Sequence, residues 1–381
     1  MLPLLLALLL SRAFAADPPR EGWPHSAESR AVPDPQTDDE ELAPSTADDP
    51  RAAFLGWQAI LARRLAQQFP NGHPESYRFA AELYGAIAPL VAERPGVVTP
   101  FTMGHTVRHR EIWAFRVHRP GETPKIKVLV FAGIHAMEWI SSEVATTFLT
   151  DLIQDPPSGV EVVVVPVLNL DGRMLVERDL RDGRHAYRRV NANGVDLNRD
   201  FAVNRTTHAI WQKIIPAYYS ESPGPLSQPE SQALDALDAR EHFDVSVSLH
   251  AFGGFVYHPW SGRFAQTPDE PAFAELGNVM VSGATRPYTS KELSHWGFFF
   301  RALGSELDHL YGSYGTLAYL IELTHSGIEP WHPKTWNNYF RWYNPVDPAP
   351  HIKDGEGMLR ALVAHLSADG MPPRVGPPPL R

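Results

Sequence analysis

Four short apolar runs limit what this chain can fold into: KIKVLVFAGI (125–134), VEVVVVPVLN (160–169), FDVSVSLHA (243–251) and TLAYLIEL (316–323). Each is rich in β-branched or bulky apolar residues and too short for an ordinary helix. Runs of this kind read as central strands buried on both faces. Between them lie stretches with helical spacing of apolar residues, SSEVATTFLTDLIQ (141–154) and PESQALDALDARE (229–241). Strand–helix alternation predicts an α/β domain with a largely parallel or mixed twisted sheet flanked by helices. Upstream, AAFLGWQAILARRLAQQF (52–69) and SYRFAAELYGAIAPLVAE (76–93) read as two further helices, and EIWAFRV (111–117) as a half-exposed strand. A chain of 381 residues, 43% hydrophobic, has enough apolar surface for one large core.

The ends read differently. The segment MLPLLLALLL is too short to span a bilayer, which takes about 20 residues. It is followed by Ala13-Phe14-Ala15, a small-x-small cleavage pattern, so residues 1–15 are expected to be a secretory signal peptide. Residues 16–52 are rich in Pro and acid and form a linker or short leader. One folded domain is expected over 53–368, with a Pro-rich disordered tail at 369–381. No other run is apolar enough for a membrane anchor, so the mature chain is expected to be secreted or periplasmic. A net charge of −10 lacks the basic footprint of a nucleic-acid binder. With no cysteine, any metal must be held by His, Asp or Glu.

Three of the four apolar runs end in groups that can ligate metal or carry protons. His135 and Glu138 follow the first, His250 closes VSVSLHA, and Glu322 closes AYLIE. A lone histidine after a strand is usually a cap or a core residue, but the conjunction changes the reading. In α/β sheets, sites gather where strands end. Catalytic zinc takes three protein ligands and leaves a position open, a set that His135, Glu138 and His250 would supply. Glu322, from a separate strand, could then act as general base. In DLNRDF (196–201), Arg199 could grip a carboxylate through two parallel hydrogen bonds. Upstream, in RHAYRRV, Arg188 could stabilise a developing oxyanion.

These residues resemble the zinc metallocarboxypeptidases of the carboxypeptidase A type, the funnelins. The matching stretches occur in order: GIHAMEW, NLDG, AYRRVNANGVDLNRDF, SLHAFGG and YLIEL. The resemblance implies a single domain on a mixed, roughly eight-stranded sheet and one catalytic zinc held by His135, Glu138 and His250. It also makes Glu322 the general base and Arg188 the oxyanion stabiliser. Asn198 and Arg199 become the clamp for a free C-terminal carboxylate, and the implied substrates are peptide or protein C-termini.

Three positions depart from the family. Met137 stands where an arginine is usual, Phe252 lacks an aromatic hydroxyl, and Phe300 aligns with a mobile tyrosine that covers the substrate. The same alignment puts Leu307 in the specificity pocket, which implies a hydrophobic or aromatic C-terminal residue. Two alternatives stay open: a zinc amidase or peptidase acting on cell-wall peptides or N-acyl amino acids, and a secreted binding protein that keeps the fold without turnover.

Overall fold

The computed structural model describes residues 49–377 apart from 71, 74, 206–221, 296–300 and 326–337. The expected signal peptide, the leader up to residue 48 and Phe300 lie outside the described residues.

The strands are β1 (Val98–His105), β2 (Glu111–Val117), β3 (Ile126–Ala132), β4 (Val160–Val165), β5 (Val245–Ala251), β6 (Phe255–His258), β7 (Thr289–Glu292) and β8 (Leu317–Leu323). They form one sheet in the order β1-β2-β4-β3-β5-β8-β6-β7. The central strands β4, β3, β5 and β8 run parallel, while β1, β2 and the β6–β8 pair bring in antiparallel pairing. This is the mixed eight-stranded sheet expected of the fold. The four apolar runs are its centre, and β3, β4, β5 and β8 are buried nearly throughout.

The helices among the described residues are α1 (Pro50–Gln68), α2 (Ala80–Glu93), α3 (Trp139–Gln154), α4 (Leu170–Arg181), α5 (Pro229–Glu241), α6 (Glu270–Ser282), α7 (Glu306–Tyr314), α8 (Tyr339–Tyr343) and α9 (Ala349–Asp369). Helix α1 starts on Pro50, whose missing N–H costs nothing in the first turn, and Asp49 caps it by accepting from the Arg51 N–H. Its Phe54 is fully buried and packs edge-on against Trp113 and Phe115 of β2. For that reason β2 is not half exposed: every residue but Arg116 is buried. Helix α3 packs on β3 and β5, α7 on β8, and α9 bridges α3 and α6.

Within the expected tail, residues 374–376 hydrogen-bond to the body of the domain. After α9 ends at Asp369, the backbone N–H groups of Val375 and Gly376 donate to the Asp269 carboxylate, and Arg374 donates to the Gly315 carbonyl at 2.8 Å. No described helix is long and apolar enough to cross a membrane.

Candidate active site

Strands β3, β5 and β8 are parallel neighbours, so their C-terminal ends open on one edge of the sheet. After β3 the chain turns through Gly133 at φ +67°, where a Cβ would press on Ser142 Oγ and the Val167 backbone at 3.2–3.3 Å. The turn carries His135 and places Glu138 at the N-cap of α3. The NLDG motif supports it from below. Asn169 donates to the Ile134 carbonyl at 3.3 Å and to the Val190 carbonyl at 3.1 Å, tying this turn to the arginine-bearing loop. Gly172 lets α4 approach, since a Cβ there would meet the Cβ of Ala136 at 2.7 Å.

His135, Glu138 and His250 are all buried, and among the described residues they are the cluster able to hold a metal ion. His135 Nδ1 lies 2.8 Å from Glu138 Oε1, and His250 Nδ1 lies 3.1 Å from His135 Nδ1 and 3.2 Å from Glu138 Oε2. Two imidazole nitrogens with a carboxylate between them, and no sulfur, suit a zinc ion with ligand bonds of about 2.0–2.2 Å. The outer nitrogens are engaged elsewhere. His135 Nε2 faces Asp196 Oδ1 at 3.2 Å, and His250 Nε2 faces Ser248 Oγ at 2.8 Å. Protons placed outward leave the Nδ1 lone pairs converging on one point, as a cation requires.

His250 and Glu322 are direct partners in the β5–β8 ladder. Glu322 Oε2 is buried and has no hydrogen-bond partner among the described residues. Burial, reinforced by the nearby Glu138 and Glu306 charges against His250 and Arg189, pushes its carboxyl up to about 8. A dication at the cluster would pull it back down. Burial also works against the charge on Glu138, but His135 and His250 outweigh it and hold that carboxyl well below the usual range.

The two adjacent arginines part company. Arg188 pairs with buried Asp179 through Nε and Nη2, in company with Arg184, and does not line the cavity. Arg189 does. Its Nε donates to Asp196 Oδ2 at 2.8 Å and its Nη1 sits 3.4 Å from Glu138 Oε1. The arginine that reaches the metal cluster is therefore Arg189, and the placement expected for Arg188 is corrected. Irregular backbone at 185–190 offers no periodicity to say which of two neighbouring side chains points inward.

Asn198 and Arg199 sit on a 3₁₀ turn (Leu197–Arg199) capped by Asp196, which accepts from the Asn198 N–H at 3.0 Å. Both line the same cavity. Arg199 forms no ion pair with any described carboxylate, and its Nη1 donates to the Asn198 carbonyl at 2.6 Å. Burial lowers its pKa from the ordinary value, with Asp196 opposing.

The cavity has a volume of about 180 Å³. It is lined by His135, Arg189, Asn198, Arg199, His250, Phe252, Gly253, Phe255, Tyr257, Leu293, Ala302, Ser305, Leu320 and Glu322. Leu307 is not among them. It is fully buried in the core on α7, because the helix starting at Glu306 turns that position inward. The placement expected for Leu307 in the pocket is therefore corrected; the apolar lining among the described residues includes Leu293, Ala302 and Leu320.

Met137 is also buried, so its side chain belongs to the core. Phe252 is 38% exposed and meets Tyr343 of α8 at 5.4 Å between ring centres. The Tyr343 hydroxyl donates to that of Tyr187 at 3.4 Å, so two phenols lie behind Phe252. Asn344, fully buried, bolts α8 to the metal turn by donating to the Met137 carbonyl at 2.7 Å and accepting from the Ile140 N–H at 2.9 Å. Sequence reading assigned no role to Asp196, Tyr187, Tyr343 or Asn344, although Tyr187 and Asp196 both lie inside AYRRVNANGVDLNRDF.

Comparison with known proteins gives the same direction. Carboxypeptidase O of Bos taurus is 24% identical over 259 residues, 63% of this chain and 65% of its own length. Carboxypeptidase A2 of Rattus norvegicus is 26% identical over 240 residues, 60% of this chain. The chain spans 56% of the length of the latter. Among solved structures, thrombin-activatable fibrinolysis inhibitor superposes with a TM-score of 0.63 at 18% identity, covering 82% of this chain and 81% of its own. Carboxypeptidase A of Helicoverpa armigera gives 0.59 at 19%, covering 81% and 80%. These structural likenesses establish the fold. The profile of the zinc carboxypeptidase family matches residues 83–340, more than half of the sequence, and the chain belongs to that family.

Proposed function

We propose that this chain is an exported, zinc-dependent exopeptidase that removes the last residue from peptides with a free C-terminal carboxylate, preferring an apolar one. The observation that carries this reading is one cavity lined by His135 and His250 of the candidate metal cluster, by Glu322, whose Oε2 has no hydrogen-bond partner among the described residues, and by Arg199, which forms no ion pair with a described carboxylate. A zinc ion held by the cluster supplies a Lewis acid that polarises a carbonyl and acidifies water.

The chain's own residues do the rest. Arg199 and Asn198 hold the substrate carboxylate, which fixes the last peptide bond over the cluster. The apolar side chains of Leu293, Ala302 and Leu320, which line the cavity, take the terminal side chain. Glu322 accepts a proton from the attacking water and returns it to the departing amine nitrogen. Arg189 donates to the oxygen on which negative charge develops. Export rests on residues 1–15, which combine a leucine-rich run with a cleavage pattern.

Mass spectrometry of matched peptides ending in Phe, Leu, Lys or Glu, each with a free or an amidated C-terminus, tests the reading. Loss of single residues from free ends only, abolished in Glu322→Gln and fastest for Phe or Leu, is the expected result. Cleavage of amidated peptides at an equal rate removes the carboxylate clamp, and a preference for Lys removes the apolar pocket. No cleavage by either protein while both hold zinc would transfer the reading to a specialised amidase or a binding protein.

A further inference from the structure

Each histidine of the metal cluster has an acid on its outer nitrogen. For His135 that acid is Asp196, already described. For His250 it is Glu306, the first residue of α7, whose Oε1 lies 3.2 Å from His250 Nε2. We propose that Glu306 is a positioning residue of the metal centre, fixing His250 in the tautomer that presents a bare Nδ1 to zinc. The inference rests on the zinc site and not on any substrate.

The reasoning starts from His250's other partner. Ser248 Oγ is nearer to Nε2, at 2.8 Å, but a hydroxyl serves equally as donor or acceptor. It therefore accommodates either tautomer. With the proton on Nδ1 the ring would point an N–H at His135 Nδ1, 3.1 Å away, and zinc could not bind there. An ionised carboxylate only accepts, so Glu306 makes the Nε2–H form the one that satisfies both neighbours.

Glu306 is itself held firmly. It is 1% exposed, and its backbone N–H donates to Asn198 Oδ1 at 3.1 Å. Ser305 caps the helix by accepting from the Asp308 N–H, so the carboxylate sits in the first turn, where the helix dipole favours negative charge. Its second oxygen, Oε2, is buried without a hydrogen-bond partner among the described residues. Burying a half-satisfied carboxylate is costly. The cost is intelligible if the charge is there to hold His250 and balance a dication. Because the same residue's N–H binds Asn198, the arrangement also joins the metal centre to the turn that carries Arg199.

The test is zinc affinity, measured by competition with a chromophoric chelator, on wild type, Glu306→Ala, Glu306→Gln and Ser248→Ala. Losing a partner that orients a metal ligand typically weakens metal binding about 10- to 100-fold. That loss is expected for Glu306→Ala, with a smaller one for Glu306→Gln, whose amide oxygen still accepts. Ser248→Ala should lose no more than about threefold, since its hydroxyl does not choose the tautomer. Visible spectra of the cobalt-substituted proteins should shift for both Glu306 variants. Thermal melts without metal separate a general loss of packing from a loss of ligand orientation, and if the alanine variant does not fold, the glutamine variant decides. Zinc affinity within twofold of wild type in a folded Glu306 variant would overturn the proposal. So would a loss in Ser248→Ala as large as that in Glu306→Ala. Since no peptide is present, the outcome is independent of whether the substrate reading holds.

Discussion

Replacing Arg188 and Arg189 separately by methionine probes two side chains that adjoin in sequence and serve different partners. Methionine keeps the aliphatic stem and removes the guanidinium. At position 188 the change strips Asp179 of one partner, but Arg184 still pairs with it at 2.8 Å. The loss is that of a hydrogen bond to a charged, largely buried group, about 1.5–3 kcal/mol at most. At position 189 the change removes the Nε–H held 2.8 Å from Asp196 and the Nη1 group that lies 3.4 Å from Glu138. Loss of one oxyanion donor lowers kcat about 10²–10³-fold. The assay is kcat/KM on a peptide ending in Phe, paired with thermal melts. Arg189→Met should lose two to three orders of magnitude while staying folded. Arg188→Met should melt lower and keep its activity within a few-fold. A catalytic collapse in Arg188→Met at an unchanged melting temperature, with Arg189→Met near wild type, would refute this assignment.

Phe54→Ala should cost roughly 3–5 kcal/mol in chemical denaturation, because the ring is fully buried against Trp113 and Phe115; a cost below about 1 kcal/mol would mean that α1 is not part of the core. Asn344→Ala leaves the Met137 carbonyl and the Ile140 N–H unmet and should destabilise by roughly 1–3 kcal/mol per group; zinc affinity should fall with it, since the same turn carries Glu138. His258 is 1% exposed, and burial lowers its pKa to about 4. Its contribution is fully present above pH 6.5, where the unfolded histidine is neutral, and is lost as the pH falls through about 4. Relative to His258→Phe, the wild type should therefore lose roughly 3 kcal/mol of stability between pH 7 and pH 4; a difference that stays constant across that window would exclude a buried neutral imidazole.

Much of the fold was legible because the central strands are buried on both faces and leave uninterrupted apolar runs. VEVVVV and VSVSLHA can hardly be anything else, and the groups at their tips stand out against so much hydrocarbon. The strand β7, TSKE, is polar and at the sheet edge, so it leaves no such trace. The half-exposed reading of EIWAFRV failed because exposure depends on what packs above a strand, here α1, and not on the strand's own alternation. The cluster of His135, Glu138 and His250 could be picked out because each of these residues stands at the end of an apolar run. Arg189 and Leu307 could not, since each turns on which way a side chain points in a loop or at a helix start. Asn344 and Glu306 lie 206 and 168 positions beyond Glu138, and their value comes entirely from where the fold puts them.

The pairing of His250 with Glu322 across β5 and β8 has a consequence for how the protein fails on heating. A candidate metal ligand and the carboxylate beside it are spaced by the hydrogen bonds of a buried ladder at the centre of the sheet, and not by loops. A slip of one residue would turn Glu322 to the opposite face. Heat that loosens the surface segments should leave this spacing intact until the sheet itself gives way. Inactivation and global melting are then one event, recorded at the same temperature by residual activity and by circular dichroism.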